Sequence, residues 1–285
     1  MMRELSLPAP AKLNLFLHIT GRREDGYHNL QTVFQFIDRA DELHFSLRDD
    51  DHVSVTPAIA GVADEDNLIV RAARLLQSET GCRQGADIRL DKHLPMGGGL
   101  GGGSSDAATT LLALNTLWQT GLDEDALAAL GLRLGADVPV FVRGHAAWAE
   151  GVGEDLQPVD LPEPWYVVLC PDAHIATAAA FAHPELTRNT TAITLRAFFA
   201  GAGRNDFESV VCRLSPAVDV AMKWLAQRGP ARMTGTGACL FMACPTRDAA
   251  AQILAESPVN GFICRGLNRS PAHSALDRLL RPHRI

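Results

Sequence analysis

The chain has 285 residues, which at about 100–200 residues per domain predicts two domains or one large one. Hydrophobic residues make up 47% of it and charged residues 21%, values typical of globular proteins rather than of disordered or fibrous chains. The net charge of −7 disfavours a broad nucleic-acid-binding surface, because such a surface needs an excess of Lys and Arg.

The cysteines and the apolar runs restrict the class of protein further. The six cysteines show no zinc-ligand spacing and are too sparse for a disulfide-rich domain. Every apolar run falls short of the ~20 residues that cross a bilayer, and the charged residues Arg3, Glu4 and Lys12 make the N-terminus a poor signal peptide. We therefore expect reduced thiols in a soluble, cytoplasmic protein.

In the first half of the chain, apolar alternation predicts strands and a period near 3.6 predicts helices. In chain order these are a strand with Leu43, Phe45 and Leu47, a turn at Asp49–Asp51, a strand with Val53 and Val55, a helix starting at Asp66–Asn67 with Leu68, Ala72 and Leu75 on one face, a strand with Ile88 and Leu90, a helix from Ala107 to Trp118, and a helix with Leu127, Leu130 and Leu134 that ends at Gly135. Ser104, Ser105 and Asp106 are available caps for the helix from Ala107.

The second half follows three prolines, Pro158, Pro162 and Pro164, which place a domain boundary near residue 160 and give domains 1–160 and 161–285. The predicted elements are a strand at Trp165–Leu169, helices at Leu195–Phe199, Phe207–Arg213 and Val218–Ala226, Met233 with a turn at Thr234–Gly237, a strand at Leu240–Ala243, a helix at Asp248–Ala255 and a strand at Phe262–Arg265. This order favours an α+β class with a split α+β (ferredoxin-like) layer over a doubly wound sheet.

A glycine cluster is the clearest candidate for a functional site. Six of the seven residues from Gly97 to Gly103 are glycine, and the cluster lies between a predicted strand and a predicted helix. Glycine permits positive φ angles and lets backbone N–H groups converge on an anion, which the positive end of a helix also attracts. We therefore expect a phosphate-binding loop rather than a flexible linker, with Ser105 as a hydroxyl near a phosphate-bound metal.

Two familiar phosphate motifs do not account for this cluster. A P-loop needs Gly-Lys-Ser/Thr, and no glycine in this chain is followed by lysine. Gly97, Gly99 and Gly102 satisfy the dinucleotide pattern, and Asp123 follows at about the expected distance. However, Gly121 and Leu122 look like the end of a helix rather than of a second parallel strand, so we reject this interpretation.

The segment Pro95–Ser105 resembles the glycine-rich loop of the GHMP kinases (galacto-, homoserine, mevalonate and phosphomevalonate kinases), which wraps the phosphates of ATP. Further segments extend the likeness, namely Pro10–Leu15, Gly21–His28, Leu134–Pro139, Ala149–Glu154, Asn205–Glu208 and Thr234–Cys239. Together they resemble the branch of this family that phosphorylates the 2-hydroxyl of a cytidine diphosphate-linked methylerythritol in the non-mevalonate isoprenoid pathway. The resemblance runs from Pro10 to about Pro271 and implies a two-domain kinase with a mixed α/β ATP-binding N-terminal domain.

The resemblance also implies residue roles. Lys12 and Asp137 match the catalytic pair. The ATP site would comprise Pro95, Met96, Gly97, Gly98, Gly99, Leu100, Gly101, Gly102, Gly103, Ser104 and Ser105, with Asn67 and Lys92 at the adenine. The acceptor site would comprise Asn14, Tyr27, His28, Phe34, Val152 and Phe181, with Tyr27 and Phe181 clamping cytosine and His28 reading its edge. Expected cofactors are ATP and Mg²⁺, with no nucleic-acid or membrane partner, in a monomer or weak homodimer.

Taken without the family, several of these residues have plainer interpretations. Lys12 and Asn14 fit an exposed strand face, and Asp137 fits a turn before a proline. Tyr27 and Phe181 fit core packing, and His28 fits a surface or structural histidine. Asp106 stands where some family members have Asn, so it either brings a negative charge near phosphate or caps the helix. Two rival functions remain: a GHMP kinase with another small acceptor, and a nucleotide-binding regulator without phosphoryl transfer.

Overall fold

The computed structural model describes residues 2–59 and 61–280, which form a strand-rich first part followed by a layer of helices on an antiparallel sheet. In chain order the elements are β1 (Glu4–Arg22), β2 (His28–Arg48), β3 (Val53–Thr56), α1 (Leu68–Thr80), β4 (Gly85–Asp91), α2 (Gly102–Leu117), α3 (Glu124–Leu134), α4 (Val138–Arg143), β5 (Ala147–Glu150), β6 (Asp155–Pro158), β7 (Trp165–Leu169), α5 (Thr177–Ala182), α6 (Leu195–Phe199), α7 (Glu208–Leu214), α8 (Pro216–Ala226), β8 (Arg232–Met233), β9 (Leu240–Cys244), α9 (Arg247–Ala255), β10 (Gly261–Leu267) and α10 (Pro271–Leu280).

One continuous sheet joins the two halves of the chain, in the order β3-β4-β2-β10-β7-β9-β8, with β1 and β5 also paired to β2 and β6 paired to β5. The link between the halves is the antiparallel pairing of β10 with β2, at Gly266 opposite Ile37 and Leu267 opposite Phe36. The last four strands lie in the order β10-β7-β9-β8, and every pairing among them is antiparallel. Numbered along the chain, this is the 4-1-3-2 order of a split βαββαβ layer, so the predicted α+β class is confirmed.

The helix boundaries follow from local signals that the sequence already contains. The side chain of Asn67 caps α1 by accepting a hydrogen bond from the N–H of Ile69 at 3.0 Å, and Asp123 caps α3 in the same way through Ala126 at 2.9 Å. Helix α3 ends at Leu134 with Gly135 as its C-terminal cap. The predicted start of α1 and end of α3 are therefore confirmed, and Asp123 is a cap rather than a ribose-binding residue.

Helix α2 begins earlier than its apolar pattern predicts, and the predicted caps are wrong. Its N-terminal cap is Gly101, whose φ of +74° is left-handed, and no side chain caps it. Ser104, Ser105 and Asp106 instead lie inside the first turns of the helix. The reason is that the left-handed glycine turns the chain directly into the helix, so Gly102 and Gly103 form its first residues and their N–H groups are left without intrahelical partners.

Strand β1 contributes to four clusters of buried apolar side chains among the described residues, one of which contains Phe16. Leu7 packs in a core with α1, α2, α3 and α4, and Leu13 packs in a smaller cluster with Tyr166 and Val168 of β7. Further along, Ile19 packs in the core of the second half, with α7, α8 and the last strands. A single strand thus contributes to the core of both halves. The domain boundary near residue 160 stays a prediction about chain order.

Among the residues that the structure describes, no helix is both long and apolar enough to span a bilayer.

Candidate active site

Two adjoining cavities contain all of the predicted site residues except Ser105. The larger has a volume of about 990 Å³ and is lined by Lys12, Asp137 and all six residues predicted to bind the acceptor. The smaller, about 380 Å³, is lined by Asn67, Lys92 and the segment from Pro95 to Ser104. Gly97, Gly99, Gly101 and Ser104 line both. The glycine loop therefore lies between the two cavities and forms part of the lining of both.

Lys12 and Asp137 line the larger cavity beside the glycine loop and form an ion pair, with 3.1 Å between Nζ and Oδ2. The side chain of Lys12 is 3% exposed and that of Asp137 is 35% exposed. The ammonium also donates to Asn14 Oδ1 and to the carbonyl of Gly99 at 3.1 Å, so all three of its N–H donors have acceptors. The lysine is locked in place, and the carboxylate stays open to a molecule in the larger cavity.

The local backbone explains why Asp137 is free for this pairing. Asp137 occupies the N-terminal cap position of α4, but its side chain makes no capping hydrogen bond. The backbone of Asp137 is therefore a turn, as its local pattern indicated. Its carboxylate pairs with Lys12 and does not cap the helix. The exposed-face interpretation of Lys12 and Asn14 is wrong, because both residues are 2% exposed.

Backbone and side-chain hydrogen bonds tie three segments together around this pair. The N–H of Lys12 donates to the carbonyl of Leu100 at 3.0 Å. The hydroxyl of Thr234 accepts from the N–H of Asn14 at 3.0 Å and donates to the carbonyl of Gly99 at 3.1 Å. The side-chain amide of Asn205 donates to the carbonyl of Gly235 at 2.7 Å and so holds the Thr234 turn. Strand β1, the glycine loop and this turn form one connected unit.

The close approach of these segments requires glycine at two positions. Gly99 has φ +74°, and a Cβ on it would lie 2.1 Å from the carbonyl oxygen of Thr234. Gly101 also has φ +74°, and its Cβ would lie 3.0 Å from Cε of Lys12. An L side chain at either position would be strained by the backbone and would collide with its neighbours.

The aromatic residues of the larger cavity are partly stacked on each other. The rings of His28 and Phe181 stack with 4.9 Å between centroids and 25° between planes, and Phe181 meets Phe207 edge-on at 4.8 Å. Phe181 is half-buried against the second core, so the packing interpretation holds in part for it. Tyr27 is 65% exposed, so core packing is wrong for that residue.

His28 has one ring nitrogen available to a bound molecule. Its Nε2 is buried and has no hydrogen-bond partner among the residues that the structure describes. Burial lowers the pKa of His28 below its usual 6.5, and the positive charges of Arg188 and Arg22 lower it further. The imidazole is therefore neutral at pH 7, and its Nε2 either donates or accepts one hydrogen bond, according to the tautomer.

The positions of Ser104 and Ser105 differ from the prediction that Ser105 places its hydroxyl near a phosphate-bound metal. Ser104 lines both cavities, whereas Ser105 is fully buried, lines neither, and its hydroxyl has no partner within residues 2–59 and 61–280. The geometry therefore favours Ser104 over Ser105 as the hydroxyl near phosphate. Asp106 caps nothing, since it pairs with Lys92 at 2.8 Å.

Sequence reasoning also missed residues that line the larger cavity. These are mainly in the Thr234–Gly237 turn, in the segment His174–Ala178, and at Asp25 and Thr32. The Thr-Gly-Thr-Gly pattern was a usable signal for the turn, because threonines that alternate with glycines place hydroxyls on a tight backbone. The segment at His174 carries no comparable signal.

The fold and the loop at the junction of two cavities define a GHMP kinase. The GHMP kinase N-terminal domain model matches residues 67–145, and the GHMP kinase C-terminal model matches residues 185–257. Full-length relatives narrow the class further. The chain is 60% identical over 283 residues to the 4-diphosphocytidyl-2-C-methyl-D-erythritol kinase of Chromohalobacter salexigens, covering 96% of this chain and 95% of that protein. It is 58% identical over 282 residues to the enzyme of that name from Pseudomonas aeruginosa, covering 98% and 100%.

A solved structure agrees with these relatives. A crystal structure of 4-(cytidine 5'-diphospho)-2C-methyl-D-erythritol kinase superposes with a TM-score of 0.79 at 33% identity, covering 92% of this chain and 99% of that one. The chain belongs to the 4-diphosphocytidyl-2-C-methyl-D-erythritol kinase family, and it is a kinase.

Proposed function

We propose that the protein transfers the γ-phosphoryl group of ATP to the 2-hydroxyl of 4-diphosphocytidyl-2-C-methyl-D-erythritol, giving the 2-phosphate and ADP in the non-mevalonate isoprenoid pathway. The observation that carries the proposal is the Lys12–Asp137 pair, which lines the larger cavity and is bonded through Lys12 to Gly99, a loop residue that lines both cavities. ATP would occupy the smaller cavity and the acceptor the larger, so the transferred group would cross the glycine loop beside this pair.

The proposed mechanism assigns the proton to Asp137. As the bond from the acceptor oxygen to the γ-phosphorus forms and the bond from that phosphorus to the β-γ bridging oxygen breaks, the hydroxyl proton passes to the Asp137 carboxylate. A carboxylate is a far weaker base than an alkoxide and does not deprotonate an alcohol beforehand, so the proton moves late in the step. Lys12 orients the carboxylate and stabilises negative charge on the attacking oxygen.

The phosphates would be held mainly by uncharged donors. The N–H groups of the glycine loop and of the first turn of α2 lack helical partners and attract anions. Mg²⁺ would neutralise charge on the β- and γ-phosphates. The described residues contain no cluster of three His, Cys, Asp or Glu suited to a metal, which fits Mg²⁺ held mostly by phosphates and water. The Ser104 hydroxyl, which lines both cavities, is the side-chain group that would contact it.

The aromatic end of the larger cavity supports a cytidine ligand. Tyr27 offers an exposed ring for stacking, and base–aromatic stacking is worth about 1–3 kcal/mol. The unpartnered Nε2 of His28 offers a hydrogen bond to the edge of the base. A GHMP kinase for a small alcohol without a base would have no use for either group.

The decisive measurement is ADP release with a panel of acceptors. We expect turnover with the cytidine diphosphate-linked acceptor and none with homoserine, mevalonate or galactose. Turnover with one of those alcohols would move the chain to another GHMP kinase activity. Binding of ATP with no turnover on any acceptor would favour the non-catalytic regulator.

The first mutational prediction concerns the proposed base. Asp137→Asn keeps the size of the side chain but removes the proton acceptor, so kcat should fall by about 10²–10⁴-fold with little change in either KM. Asp155→Asn removes the same charge from an exposed position in β6 and should behave like wild type. Retention of most of the kcat in Asp137→Asn contradicts the assignment.

A further inference from the structure

Asp41 is a fully buried carboxylate that lies outside both cavities. It occupies β2 opposite Ala9 of β1, with 0% of its surface exposed. Its Oδ1 accepts hydrogen bonds from the N–H groups of His93 at 2.6 Å and Leu94 at 2.8 Å. Its Oδ2 accepts from Nζ of Lys92 at 2.6 Å. Asp41 therefore binds three consecutive residues of the segment that enters the glycine loop.

Lys92 connects this buried carboxylate to the smaller cavity. Its ammonium donates to Asp41 and also to Oδ2 of Asp106 on α2, at 2.8 Å, so two of its three donors are used by carboxylates of the described chain. The side chain of Lys92 is 25% exposed, and Lys92 and Asp106 both line the cavity whereas Asp41 does not. The remaining N–H of Lys92 is available to a nucleotide.

The cluster lies directly under the first residue of α2. A Cβ on Gly102 would lie 3.3 Å from Nζ of Lys92 and 3.7 Å from Oδ2 of Asp41. The ammonium therefore lies close to the backbone of Gly102, and both residues line the smaller cavity. Burial acts to lower the pKa of Lys92, but the two carboxylates outweigh it and raise that pKa, so the lysine is charged at neutral pH.

We propose that Asp41 is a positioning residue for the nucleotide. It fixes the Lys92 ammonium, through Oδ2, at the place where the third N–H of that lysine meets ATP. It acts through Lys92 and makes no contact with the nucleotide. The inference rests on the proposed function, because it takes ATP as the molecule that occupies the smaller cavity.

The variant Asp41→Asn separates this role from the bonds to the backbone. The amide oxygen can still accept from His93 and Leu94, but the NH₂ group that replaces Oδ2 cannot accept from Lys92. We expect KM for ATP to rise about tenfold, as for loss of one charge-assisted hydrogen bond. The acceptor KM and kcat should stay close to wild type. Glu42→Gln, the next residue of β2, removes the same charge without touching Lys92 and serves as the matched control.

A double-mutant cycle with Lys92→Met decides between a positioning role and a merely structural one. If Asp41 acts through Lys92, then Asp41→Asn adds no further rise in KM for ATP in the Lys92→Met background. An undiminished effect in that background, or equal rises in the KM values of both substrates, overturns the proposal. Lys92→Met alone should weaken ATP binding selectively. An unchanged ATP affinity in that variant also overturns the proposal, whether or not Asp41→Asn folds.

Titration calorimetry with a non-hydrolysable ATP analogue keeps this test independent of the proposed reaction. Absence of ADP release from the wild type with every acceptor contradicts the proposed function. An analogue affinity that is the same in wild type, Asp41→Asn and Lys92→Met contradicts the role of Asp41. The two failures give different results and are read from different experiments.

Discussion

At the scale of single residues, the site depends on charges that are compensated locally. Lys12 is neutralised by Asp137, and Lys92 is shared by Asp41 and Asp106. Neither lysine presents an uncompensated positive charge to a nucleotide. The net charge of −7 is therefore compatible with anionic substrates, because backbone N–H groups supply much of the attraction for phosphate.

A neutral His28 leads to a prediction for the pH dependence of acceptor binding. Because burial, Arg188 and Arg22 all lower its pKa, the neutral form is present at pH 7 and is lost only at a pH below 6.5. Protonation removes the acceptor nitrogen and adds a cation beside two arginines. We expect KM for the acceptor to rise as the pH falls below 6.5, by at most about tenfold per pH unit, while KM for ATP stays level.

The variant His28→Gln provides the check, since it keeps hydrogen-bonding groups and cannot titrate. Its acceptor KM should be higher than that of wild type at pH 7 and flat between pH 5.5 and 7.5. His52→Gln, at an exposed position far along the chain, should keep the wild-type profile. A wild-type slope in His28→Gln would assign the pH dependence to another group.

The residues of the site were predictable to different degrees. Lys12 and Asp137 were found from a family resemblance, while their own local patterns indicated an exposed strand and a turn. The pattern could not show that Lys12 would be buried, because its neighbours on both strand faces turned out to be covered. Asp41 carried no signal at all, since its partners lie about fifty residues away and only the sheet register brings them together.

At the scale of elements, the glycine loop and the Thr234 turn depend on each other. Gly99→Ala introduces a Cβ 2.1 Å from a backbone carbonyl at a φ of +74°. Gly121→Ala has nearly the same φ, +73°, with nothing within 4 Å of the new Cβ, so it measures the backbone strain alone. We expect Gly121→Ala to cost about 1 kcal/mol of unfolding free energy, and Gly99→Ala to cost about 1–3 kcal/mol more because overpacking adds to that strain.

Chemical denaturation of the two variants measures the difference. Gly99→Ala should also lose ATP affinity, because the loop must move away from the turn to relieve the collision. Equal destabilisation of the two variants would show that the loop relaxes freely and that the contact with Thr234 contributes nothing to stability.

The parts of β1 and β2 that the sequence pattern did not predict share a physical cause. Strand β1 has 19 residues and β2 has 21, and long stretches of both are covered on two faces. Two-sided burial removes the alternation from which a strand is predicted. The prolines at positions 8 and 10 of β1 are also atypical of a strand. In contrast, α1 and α3 carry their caps in the sequence, so their ends were predictable.

At the scale of the whole molecule, the two halves share structure rather than only a boundary. Strand β1 places side chains in all four apolar clusters of the described residues, and the N–H of Ile19 donates to Asp206 Oδ2 at 2.8 Å, across 187 residues of chain. The pairing of β10 with β2 makes the sheet continuous. Loss of one core therefore removes contacts from the other.

This sharing predicts one cooperative unfolding transition. Leu111 is fully buried in the core of the first half, and Leu225 is fully buried in the core of the second. Each substitution to alanine should cost about 2–5 kcal/mol by leaving a cavity. If the halves unfold together, Leu111→Ala and Leu225→Ala lower the midpoint of the same single transition, and the calorimetric enthalpy equals the van't Hoff enthalpy in both. Two transitions, each moved by only one of the variants, would instead mean that β1 separates from one core while the other persists. Calorimetry of the wild type and both variants distinguishes these outcomes, because it shows how many transitions there are and which variant shifts each one.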